Sequence, residues 1–104
     1  MDKQVVVADP RPASQARLLP LLEQLNLSYQ VVNWPAQVLE QVRRDSPKIL
    51  LVAPEFANLS GVALLALARA INPRLEGLIL EQPERDRGLL ENLARRIRPQ
   101  EGSR

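Results

Sequence analysis

Neither cysteine nor histidine occurs among the 104 residues. Disulfides, thiol nucleophiles, zinc sites of the usual ligand types and imidazole general bases are therefore excluded together. Ser14, Ser28, Ser46, Ser60 and Ser103 have no histidine to activate them. Aromatic residues are limited to Tyr29, Trp34 and Phe56, and lysine to Lys3 and Lys48. A single-strand nucleic-acid surface usually pairs a basic groove with stacking aromatics, so nucleic acid is not expected as a partner. Arg95, Arg96 and Arg98 form one short basic helix end, which suits the negative end of the helix dipole and a solvated face. Only four glycines are present, and none lies in the first strand-to-helix turn, DPRPAS. A Gly-rich phosphate loop is thereby excluded there. No uncharged stretch is long enough to span a membrane, and MDKQVVVADP does not read as a signal peptide, because charge and proline interrupt it. Together with the lack of cysteine, this leads to a cytoplasmic protein as the expectation.

What is present is an ordinary globular composition, 45% hydrophobic and 25% charged with a net charge of +2. The length fits one domain, taken as residues 1–98 and followed by a polar tail, 99–104, expected to be disordered. KQVVVA (3–8) is a valine-rich run suited to a strand buried on both faces. Asp9 is a candidate N-cap, with Pro10 or Pro12 in the first turn of a helix carrying Ala16, Leu18, Leu22 and Leu25. Pro20 interrupts that helix, and Asn26 is a candidate left-handed cap. SYQVVNW reads as a second strand. Pro35 opens a second helix with Val38, Leu39 and Val42 as its stripe, and Pro47 ends it. KILLVA (48–53) is a third strand and PEFANLSG a loop. Next comes a helix capped by Ser60 or Asn58, with Ala63, Leu64, Leu67, Ala68 and Ile71 toward the sheet. GLIL (77–80) is a short fourth strand, and LLENLARRI (89–97) a last helix ended by Pro99.

Strands alternating with helices across short loops predict a parallel sheet covered by helices on both faces. Asp9, Glu55 and Glu81 all fall at the carboxyl ends of the predicted strands, where open α/β sheets bind ligands. A helix cap and two solvated loop acids are the plainer reading, because acid–base work needs pairing and burial.

Two segments, VVVADPRPASQARLL and SPKILLVAPEFANLSGVALLALARAINP, resemble the first and third strand–helix units of bacterial response-regulator receiver domains. The resemblance implies an α/β, flavodoxin-like three-layer sandwich with a parallel sheet of four or five strands in the order 2-1-3-4. It also implies where the family's phosphorylation pocket would fall. The acidic metal-binding pair lands on Ala8 and Asp9, the phosphoryl acceptor on Ala53, and the hydroxyl residue after the fourth strand on Glu81. The fifth strand and its lysine have no counterpart. A phosphoaspartate needs a carboxylate nucleophile and a magnesium ion held by carboxylates, so the resemblance implies a degenerate pseudo-receiver with no cofactor and no enzymatic activity. Its expected role is dimerisation or docking in bacterial signalling, transcription control, motility or polar localisation. The alternative is a receiver fragment of a larger regulator whose DNA-binding or cyclase output domain lies outside this chain. The expected contact surface, for a homodimer or a protein partner, is the fourth strand with Leu89, Leu90, Leu93 and Ile97 of the last helix.

Overall fold

A computed structural model describes residues 4–97. The expected tail therefore lies outside the described residues. Four parallel strands form the main sheet: β1 (Val5–Ala8), β2 (Tyr29–Val31), β3 (Ile49–Val52) and β6 (Glu76–Ile79), in the spatial order β2-β1-β3-β6. This is the order expected for the flavodoxin-like fold. Between β3 and α3 (Gly61–Ile71), a two-residue hairpin of β4 (Glu55–Phe56) and β5 (Leu59–Ser60) replaces the structureless loop read from the sequence. Its turn places Ala57 at a φ of 60°, a left-handed conformation that disfavours a side chain. Glycine or asparagine is the usual residue there, and with alanine in its place the sequence carries no hairpin signal at the first turn position.

Side chains alternate across the sheet as the strand period requires. Val5, Val7, Ile49, Leu51, Leu78 and Leu80 face α1 (Pro12–Gln24) and α4 (Pro83–Ile97). Val6, Ala8, Leu50 and Val52 face α2 (Pro35–Asp45) and α3. Right-handed crossovers fix most of this arrangement: the chain moves one way along the sheet through α1 and the other way through α2 and α3. No strand follows α4 among the described residues, so that rule does not bind it. It covers the α1 face with Leu90, Leu93 and Ala94.

The ends of the elements follow from local chemistry. Leu25 ends α1, Asn26 takes a φ of 59°, and the amides of Asn26 and Leu27 return to the carbonyls of Glu23 and Leu22, a Schellman closure. Ser60 caps α3 by accepting from the Ala63 amide at 3.0 Å. Pro35 opens α2, and Ser46 closes it in the left-handed region. The last helix starts at Pro83, six positions before the apolar stripe that revealed it, because proline suits a first helical turn.

Two stripe assignments change. In α1 the buried residues are Ser14, Leu18 and Leu22, while Ala16 is exposed. In α3, Leu64 and Ala68 are buried, but Leu67 and Ile71 face solvent with Val62. A helix that is alanine and leucine on nearly every side gives no contrast from which to choose a face. Among the described residues, no helix is long and apolar enough to cross a membrane.

Candidate functional site at the carboxyl ends of the strands

β1 and β3 end side by side, the Ala53 amide donating to the Ala8 carbonyl at 3.0 Å. Ala8 and Ala53 are both buried, and each contributes only a methyl group. Asp9 follows β1 and is fully buried. It does not cap α1, whose N-cap is Arg11 with no side-chain acceptor. Instead its Oδ1 accepts from the Arg11 backbone amide at 3.0 Å and from Arg11 Nε at 2.9 Å, while Oδ2 accepts from Nη2 at 2.8 Å. This is a fork-to-fork ion pair closed within a three-residue turn, the geometry that suits arginine and not lysine. Gln15 Nε2 fastens the turn by donating to the Asp9 carbonyl at 2.8 Å.

Burial alone would push the Asp9 carboxyl up. Hydrogen bonds from the Arg11 side chain and amide and from Ser14, with the Arg11 charge, outweigh it and hold the group below its ordinary value. The bond to Asp9 raises the Arg11 guanidinium in turn, against burial and with help from the charges of Asp9 and Asp86.

Arg11 also reaches across the sheet. Its Nη2 donates to the Leu80 carbonyl, just beyond β6, at 3.2 Å. Because β3 lies between β1 and β6, the guanidinium links the turns after two strands that are not themselves paired. From α4, Arg85 makes a parallel set of contacts: Nη2 donates to the Ile79 carbonyl at 3.4 Å, and the same atom lies 3.1 Å from Asp86 and 3.5 Å from Glu81. Asp86 is buried. The sheet end is thus closed by two arginines, each tied to a buried aspartate.

The other acids do not join Asp9. Glu55 and Glu81 are exposed, and Glu81 is occupied by Arg85. Among the described residues, no group of three or more metal-ligating side chains is assembled. The magnesium ion implied by the receiver resemblance does not fit these residues, since the one buried carboxylate at the end of β1 has both oxygens on arginine.

The contact surface expected on the last helix is partly internal. Leu90 and Leu93 are buried in the chain's own core and are removed from that surface. Leu89 is 40% exposed, and Ile97 is half-buried against the core. Sequence reasoning missed Arg11, Arg85 and Asp86. The spacing Asp9-x-Arg11 in a strand-to-helix turn is the signal that could have found the first. Of the basic cluster, Arg95 meets Asn92 and Arg96 lies 3.5 Å from Glu76, whereas Arg98 lies outside the described residues.

No family model and no curated protein matches the sequence. Among solved structures, the chain is similar to the receiver domain of the sensor histidine kinase PA1611 from Pseudomonas aeruginosa PAO1, a structure with a magnesium ion coordinated in its active site cleft. The TM-score is 0.71 over 92% of this chain and 97% of that one, at 14% identity. The fold is therefore that of receiver domains. At this identity the likeness shows the architecture alone.

Proposed function

We propose that this chain is a receiver-like module that acts without phosphorylation, through contact with proteins, in bacterial cytoplasmic signalling. The observation that carries the reading is the end of β3. The position that the receiver resemblance assigns to the acceptor is Ala53, whose methyl side chain offers no oxygen to a phosphoryl group, and the Arg11 guanidinium nearby joins Asp9 to the Leu80 carbonyl. A scaffold retained without its nucleophile points to binding as the function and away from catalysis.

The surface for that contact is the side of the molecule that β6 leaves open. β6 pairs only with β3 among the described residues, so its other edge has unpaired backbone groups. On one side of this edge, Leu65 of α3 covers Gly77, and Val62, three residues earlier on the same side of the helix, is exposed. On the other side, α4 exposes Leu89. A second copy using the same surface gives an isologous homodimer.

Two measurements test this reading. Intact mass after incubation with acetyl phosphate and magnesium should be unchanged, and a covalent phosphoryl adduct would end the phosphorylation-independent reading. Sedimentation equilibrium should give a dimer mass that Val62→Glu or Leu89→Glu reduces to that of the monomer. A wild-type chain that stays monomeric at high micromolar concentration restricts the surface to a different protein partner.

A further inference from the structure

Both oxygens of the buried Asp9 carboxylate are engaged by three N–H donors of a single residue. Each oxygen thus already faces the guanidinium. A divalent ion such as magnesium needs near-octahedral oxygen ligands and dehydrates reluctantly. The strand ends cannot supply such a set, because Ala8 and Ala53 stand beside Asp9 and the remaining acids are exposed or held by Arg85. Repulsion adds to the deficit, since an arriving dication would meet a guanidinium already in place. The Arg11 side chain is 49% exposed while Asp9 is sealed. The arginine therefore forms the lid over the carboxylate as well as its counter-charge.

We propose that Arg11 is the resident cation of this site: its guanidinium, covalently part of the chain, neutralises Asp9 and braces β1 to β6, and it excludes divalent metal from the sheet end. The consequence is an architecture whose carboxyl-end geometry does not respond to magnesium. This rests on the phosphorylation-independent reading and sharpens it, because a module with a built-in cation holds one conformation of its strand ends at any metal concentration.

Paramagnetic manganese(II), titrated into the full-length chain labelled with nitrogen-15, locates any ion by selective broadening of nearby amide signals. The wild type should show no saturable broadening around Asp9, Arg11, Ala53 and Glu81. Arg11→Ala should gain it, Arg11→Lys should resist it because a positive charge remains, and Asp9→Asn combined with Arg11→Ala should lose it again. Saturable broadening at these amides in the wild type overturns the proposal, as does a folded Arg11→Ala chain that shows none. If Arg11→Ala unfolds, refolding by magnesium but not by sodium chloride of equal ionic strength supports the assignment, and failure to refold overturns it. These outcomes are separable from those of the functional reading. A phosphoryl adduct would defeat that reading whatever manganese shows, whereas manganese binding without an adduct would defeat only the resident cation.

Discussion

Arg11 donates to the carbonyl oxygen of Leu80 at 3.2 Å across a separation of 69 positions in the chain. The same guanidinium closes on Asp9 two residues away. One side chain thus joins the turn after β1 to the turn after β6. Removing either end of the Asp9 pair should loosen both.

Acid titration should expose the Asp9 carboxylate. Its folded pKa lies below the ordinary value, so the pair contributes fully above the unfolded value of about 3.9. That contribution is lost as pH falls through the folded value. Urea midpoints measured from neutral pH downward should decline more steeply for the wild type than for Asp9→Asn in the acid range. At neutral pH, Asp9→Asn should cost about 1–3 kcal/mol, less than the ~3–5 expected for a fully buried pair, because the guanidinium is half in water. Parallel acid limbs would show that another group governs the decline.

Two glycines should respond in opposite directions. A β-carbon on Gly61 would collide with the carbonyl oxygen of Ala53, a backbone atom that cannot rotate away. Gly61→Ala should therefore destabilise by about 1–3 kcal/mol, as overpacking does. Gly88, inside α4, has open space around the same position. Gly88→Ala should stabilise by about 1 kcal/mol through helix propensity. Equal shifts in thermal midpoint for the two variants would contradict the contact at Ala53.

Pro20 lies inside α1, exposed, with the helix continuing to Gln24. Proline removes an amide donor and crowds the preceding turn, at a cost of up to ~3 kcal/mol. Pro20→Ala should raise the denaturation midpoint. A gain accompanied by loss of dimer or partner binding would give the proline a role in shaping the surface.

Leu51 sits in the centre of the sheet with no exposed area. Leu51→Ala should cost roughly 2–5 kcal/mol in urea unfolding. A loss under about 1 kcal/mol is typical of surface positions and would place β3 elsewhere.

The sequence alone determined the four main strands and the four helices that alternate with them, and it put an alanine at position 53, where the receiver resemblance expects an acceptor. These are local properties: valine and leucine runs bounded by proline set the strands, and an alanine carries no carboxylate in any fold. The Schellman end at Asn26 and the cap at Ser60 were legible for the same reason. Tertiary structure decided the rest. Leu67 and Ile71 turned outward and Leu90 and Leu93 inward because apolar residues on several sides of a helix leave its orientation to packing. Asp9, Glu55 and Glu81 were equivalent as acids at strand ends. The Asp9-x-Arg11 spacing marks the first for a guanidinium, but only the backbone path left the second in water and gave the third to Arg85. A side chain that joins the turn after β1 to the turn after β6 is specified by the spacing of strands in three dimensions, to which no pattern along the chain corresponds.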